Sequence, residues 1–158
     1  MGVNIGTLPA GVARRVVSND YVGYWVAKKL DRGYFAERST AIGLERDGKI
    51  VAGVIYENYC FSSVFCHIAV DGRLNSRFLH SIFDYPFNVC GVSKIIVAIA
   101  EDNHKSQKLV ENMGFEVEAV IEDALPSGKM YFYTMSKKDC RFLSDQYVKK
   151  CTEAATGT

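Results

Sequence analysis

Residues 64–100 read VFCHIAVDGRLNSRFLHSIFDYPFNVCGVSKIIVAIA, and this stretch decides the fold. Val64 to Val70 has the composition of a strand. From Asn75 the period turns helical, with Phe78 above Ile82 and Leu79 above Phe83 at i,i+4 spacing. Pro86 removes a backbone donor and is expected to kink or end that helix ahead of Gly91. Lys94 to Ala100 is apolar at nearly every position, which marks a central strand buried on both faces. A strand–helix–strand unit of this kind needs a crossover, so strands 64–70 and 94–100 are expected to lie parallel.

Upstream, TAIGLER (Thr40–Arg46) and KIVAGVIYENY (Lys49–Tyr59) flank Asp47-Gly48, a strong hairpin signal because both turn positions tolerate positive φ. Before them, Val22, Val26 and Leu30 repeat at four-residue spacing after the Ser18-Asn19-Asp20 cap candidates. Tyr21 and Trp25 stand beside that stripe, and Gly33 is the expected stop. GVARRVV (Gly11–Val17) fits a first strand. Downstream, Asn103 to Met113 reads as a helix carrying Leu109 and Met113, with Gly114 as its left-handed terminator. FEVEAVI (Phe115–Ile121) and MYFYTM (Met130–Met135) are two further strands around Pro126-Ser127-Gly128. Lys137 to Lys150 is expected to be a short helix. The domain is expected to span 1–150, with a disordered tail over 151–158.

The order β-α-β-β-β-α-β-α-β-β plus a helical tail implies an α+β fold of three layers. Its sheet is mixed and mostly antiparallel, with one parallel pair and helices on both faces. Length supports a single domain: 158 residues are too few for two comfortable ones. With 48% hydrophobic and 23% charged residues, the chain can bury an ordinary core. Nineteen Lys+Arg balance eighteen Asp+Glu to a net charge of +1, which disfavours nucleic acid as the partner. No stretch reaches the ~18 apolar residues of a membrane span, and the first fifteen residues lack the pattern of a signal peptide, so a cytoplasmic location is expected. Cys60, Cys66, Cys90, Cys140 and Cys151 form no CxxC, and His67, His80 and His104 share no ligand spacing with them. Structural or free thiols are therefore expected, and no metal site.

The run AEDNHKSQKLVENMGFEVEAVIED (100–123) resembles the GNAT superfamily of acyl-CoA-dependent N-acyltransferases. Asn103-x-x-Ser106-x-x-Leu109-x-x-x-Met113-Gly114-Phe115 looks like that family's N-x-x-S/A … GF signature, after a buried strand and before a β-hairpin. The resemblance covers roughly residues 10–136. Within the superfamily it is closest to the ribosomal-protein N-terminal acetyltransferase branch and, through residues 72–95, to small phage-encoded members.

The resemblance implies acetyl-CoA as donor and an amine acceptor. It places the pyrophosphate at a helix N-terminus, where free N–H groups and the dipole favour anions. That terminus is Arg73, Leu74, Asn75, Ser76, Arg77 and Phe78. The family loop Q/R-x-x-G-x-G/A survives only at Arg73; Ser76 and Phe78 stand in place of glycines. Arg73 and Arg77 either bind phosphate or solvate a helix start. Ile68 and Val70 would flank the pantetheine arm. Asn103 would cap its helix, contact the cofactor, or do both.

Acyl transfer needs an amine deprotonated, a carbonyl oxygen stabilised and a thiolate protonated. Val110 occupies the position at which many members carry an acidic tyrosine, and Leu125 falls near the base position of the ribosomal-protein branch. Ser106 matches that branch's serine acid, or is a plain helix serine. His67 has a pKa suited to a base acting through water, or is a strand packing residue. Glu57 is a second possible base, or a surface carboxylate. The aromatics Tyr21, Tyr24, Trp25, Tyr34 and Phe35 are expected to fill the core in preference to lining the acceptor pocket. The apolar last strand is a candidate homodimer contact. Three functions follow: N-acyltransferase, a phage-type enzyme modifying nucleobases in DNA, or a degenerate fold that binds without catalysis.

Overall fold

The parallel pairing that residues 64–100 demand is present but short. Ser63, Val64 and Phe65 lie beside Lys94, Ile95 and Ile96, and beyond them the two strands separate. The computed structural model describes residues 14–156. In chain order the elements are β1 (Arg14–Val17), α1 (Asp20–Lys29), β2 (Thr40–Arg46), β3 (Lys49–Glu57), β4 (Ser63–Val70), α2 (Ser76–Asp84), β5 (Lys94–Ala100), α3 (His104–Met113), β6 (Glu116–Leu125), β7 (Gly128–Ser136) and α4 (Asp145–Thr156). One sheet orders them β1-β2-β3-β4-β5-β7-β6, antiparallel except at β4–β5. The α+β three-layer expectation thus holds. Of the expected first strand, residues 11–13 fall outside the described residues.

Two cores sandwich the sheet. On one face α1 buries Val22 and Val26 against Ile50, Ile55 and Ala69. On the other, Phe78, Ile82 and Phe83 of α2 share a core with Val110 and Met113 of α3, and Phe142 beyond β7. The Asp47-Gly48 hairpin forms as read, both residues having positive φ (51° and 78°). Asn19 and Asn75 cap α1 and α2 by accepting from Val22 and Phe78 N–H, 3.1 and 2.8 Å away.

Three expectations need correction, at Gly33, the C-terminal segment and the N-terminal aromatics, while Pro86 acts as expected with an addition. Gly33 does not end α1. Asp31 takes the left-handed conformation at φ 51°, and the Arg32 N–H returns to the Ala27 carbonyl at 2.9 Å, a Schellman stop two residues early. Pro86 does end the α-helix, but the chain then continues as one wide π turn over Tyr85–Val89. Pro86 has no N–H for the Ile82 carbonyl, and the Tyr56 hydroxyl donates to that carbonyl at 2.5 Å instead. The C-terminal segment begins as two short 3₁₀ turns, and α4 runs to Thr156, past the expected tail boundary. Tyr147 edge-packs on Phe142, and the Cys151 thiol reaches the Ser76 carbonyl one helical turn later, which holds α4 on α2. Finally, of the N-terminal aromatics only Tyr34 is buried; Tyr21, Tyr24 and Phe35 are exposed and Trp25 is half-buried.

The last strand β7 lies between β5 and β6, its backbone paired on both sides. The edge strand on that side is β6, whose Val117, Val120 and Ile121 are exposed. No helix among the described residues is long and apolar enough to cross a membrane.

Candidate active site

The divergence of β4 from β5 opens a cleft through the sheet. Its inner cavity, about 180 Å³, is walled by His67 and Ile68 of β4, Val97 to Ala100 of β5, Leu30 and Arg32 behind α1, and Asn103, Ser106, Leu109 and Val110 of α3. A wider outer cavity, about 460 Å³, shares Ile68, Asn103, Ser106 and Leu109 and opens past Val70 and Asp71 toward Lys105 and Lys108. Polar main-chain and side-chain groups therefore converge on an apolar slot, the usual character of a ligand site.

Sequence separation hides the relation between Glu57 and His67. In the β3–β4 ladder Glu57 stands opposite Phe65 and Ile55 opposite His67. His67 is thus the diagonal neighbour of Glu57 on the face toward α1. Glu57 Oε1 lies 2.6 Å from His67 Nε2, and Arg32 Nη2 donates to the same oxygen at 2.6 Å. Burial alone would raise the Glu57 carboxyl, but the bonds from Arg32 and His67 outweigh it and hold the pKa below the ordinary carboxylate value. Burial, reinforced by the Arg32 charge, pulls His67 below the usual histidine value despite the opposing pull of Glu57. At neutral pH the imidazole is consequently neutral, and the ion pair is Arg32–Glu57. An ionised carboxylate can only accept, so Nε2 carries the proton and Nδ1 keeps its lone pair.

Arg32 is a residue that the sequence does not flag. It occupies the residue after the left-handed Asp31, so the Schellman stop of α1 aims it back at the sheet. No local pattern marks such a placement, since the pairing partner is on another strand.

Ser106 lies on the first turn of α3 and lines both cavities. Asn103 caps that helix, accepting from Ser106 N–H at 3.2 Å, and also lines the cleft. Gln107 fastens the turn to the end of β5, donating to the Ala100 and Glu101 carbonyls at 2.9 and 3.0 Å. Val110, 1% exposed, forms the inner wall and offers no proton.

The α2 terminus is less open than its sequence suggests. The Asn75 side chain consumes the Phe78 N–H, and the Phe78 ring is fully buried, so neither group is available to a phosphate. Arg46 donates to the Arg73 carbonyl at 2.9 Å. Arg73 and Arg77 are exposed, and neither lines the cleft cavities. All five cysteines are free. Burial raises the thiols of Cys66 and Cys140, the latter to about 11, which leaves both as inert core groups. Among the described residues no group of three or more His, Cys, Asp or Glu could hold a metal.

No family model matches the sequence, and no curated protein sequence does. Solved structures do. A spermidine N-acetyltransferase SpeG variant from Vibrio cholerae matches with TM-score 0.63 and 13% identity over 85% of this chain and 98% of that one. The ribosomal-protein-S5-alanine acetyltransferase of Vibrio fischeri matches with TM-score 0.55 and 18% identity over 67% of this chain and 66% of that one. A GNAT-family acetyltransferase from Bacillus anthracis matches with TM-score 0.56 and 15% identity over 78% of this chain and 96% of that one. At such identities the likeness is one of architecture. The chain has the fold of the GNAT acetyltransferases.

Proposed function

We propose that the protein is an acyl-CoA-dependent N-acyltransferase, moving an acetyl group from acetyl-CoA to an amine by direct attack on the thioester. The observation that carries this reading is a buried-side histidine with its tautomer set by Glu57, placed in the slot between two strands that part company. The pantetheine arm would lie along Ile68 and Val70, whose backbone has no partner strand from β5. Asn103 and Ser106 face it from the start of α3, and the pyrophosphate would emerge through the outer cavity, past Val70 and Asp71.

In this scheme His67 Nδ1 takes the proton from the attacking amine, directly or through water. The imidazolium that forms gains the Glu57 carboxylate, itself held by Arg32. Ser106 donates its hydroxyl proton to the departing thiolate and is reprotonated through water, which also carries off the proton that His67 took from the amine. Positioning of amine and thioester in one cavity supplies much of the remaining rate. The acetyltransferases named above support the reaction class, and their acceptors differ, so the acceptor here is an amine of a protein or small molecule.

The test is direct. Purified protein is incubated with acetyl-CoA and a panel of primary amines and peptides, with CoA release and the acetylated product followed by mass spectrometry. Transfer that falls in His67→Gln supports the reading. A folded protein that neither binds acetyl-CoA nor acetylates any amine overturns it.

A further inference from the structure

The outer cavity carries more positive charge than its walls neutralise. Lys29, Lys105 and Lys108 line it, with Asp71 as the single carboxylate. Lys29 forms an ion pair with Asp71, which cancels both. Lys105 and Lys108 have no hydrogen-bond or ion-pair partner among the described residues, although the chain as a whole is nearly neutral, at +1. The two lie three residues apart on α3, and Asn112 follows four residues later, so all three share one helix face. That face borders the open end of the same slot that Ile68 and Val70 line.

The α2 terminus offers a phosphate fewer free N–H groups than an uncapped helix start. One of its first N–H groups is taken by Asn75, and side chains replace the backbone approach at Ser76 and Phe78. We propose that Lys105 and Lys108 are the cations that hold the phosphates of the acyl donor, so that the anion-binding role moves from the α2 loop to α3. This assignment rests on the acyl-CoA reading above. Two ammonium groups at the rim suit a phosphate because each adds a charge-assisted bond without burying itself.

The experiment compares equilibrium binding of acetyl-CoA, acetyl-dephospho-CoA and acetyl-pantetheine to three proteins: the wild type, Lys105→Ala/Lys108→Ala and Arg73→Ala/Arg77→Ala. All four side chains are exposed, and circular dichroism checks the fold. The lysine variant is expected to bind acetyl-CoA about tenfold or more weakly, with a shallower salt dependence, and to bind acetyl-pantetheine like the wild type. The arginine variant is expected to lose less. Whichever CoA form first shows the lysine effect tells whether the pyrophosphate or the 3′-phosphate is held. Wild-type affinity for acetyl-CoA in the lysine variant, or an equal loss for acetyl-pantetheine, overturns the assignment while leaving the donor reading intact. Failure of the wild type to bind any of the three overturns the donor reading, and this assignment with it.

Discussion

His67 Nε2 and Glu57 Oε1 are 2.6 Å apart, though ten residues separate them and each, taken alone, is an ordinary strand residue. The antiparallel register of β3 and β4 sets the two on a shared diagonal, and Arg32 locks the carboxylate from the α1 side. Together these contacts fix the tautomer of the imidazole, with the proton on Nε2 and the lone pair on Nδ1.

Glu57→Gln keeps the shape and removes the charge that stabilises the imidazolium. Turnover is expected to fall roughly 10- to 100-fold, with acetyl-CoA affinity unchanged. The acidic limb of the pH–rate profile should move to lower pH, because the carboxylate is what raises His67 against burial and Arg32. A uniform loss of rate without a moved limb would reduce Glu57 to a structural role.

Stability should depend on pH with a definite sign. Both His67 and Glu57 have folded pKa values below their ordinary values of 6.5 and 4.5. A depressed folded pKa means that the unfolded chain binds more protons, so stability falls as pH falls. His67 contributes its share above its ordinary value and loses it as pH drops from there toward the folded value. Glu57 does the same in the lower window. Melting temperature measured from pH 8 to pH 4 should decline first in the histidine window, and His67→Gln should flatten that part of the curve. A melting temperature that rises on acidification through that window would contradict the buried neutral imidazole.

Ser106→Ala removes the one hydroxyl at the meeting of the two cavities. If it protonates the leaving thiolate, turnover should drop about tenfold or more while acetyl-CoA affinity stays. The helix start should survive, because the Asn103 cap uses the Ser106 backbone N–H and not its side chain. Unchanged turnover assigns the proton to water.

Gly53 is a packing requirement. A Cβ there would sit 2.6 Å from Val26 Cγ2 and 2.9 Å from Val22 Cγ1, both stiff β-branched side chains of α1. Gly53→Ala should cost about 1–3 kcal/mol in denaturant unfolding as α1 is pushed off the sheet. Since α1 leads into Arg32, turnover should fall with it. A neutral effect on stability would mean that α1 can shift freely.

Much of the architecture was legible because its signals are local. The Asp47-Gly48 turn depends on two residues that tolerate positive φ, and the apolar run Lys94–Ala100 marks a central strand without reference to its neighbours. Asn103 and Gly114 mark both ends of α3 by their own chemistry, the glycine at φ 106°. Where local signals compete, tertiary contacts decide. Asp31 and Gly33 both suit a helix stop, and only the Arg32 N–H bond back to Ala27 selects Asp31. Tyr21 and Tyr24 look like core residues by type, but the sheet meets the other side of α1, at Val22 and Val26.

The candidate site divides along the same line. His67, Glu57, Ser106 and Asn103 could be named from residue type and spacing, as could the parallel unit that must open between them. Their meeting could not, nor could the parts played by Arg32, Lys105 and Lys108. A sequence determines its turns, caps and periodicities because those are settled within a few residues. Which side chains share a cavity, and which charges are left uncancelled there, is decided by strand register and by the angle at which β4 leaves β5. These are properties of the whole sheet and are written in no single segment of the chain.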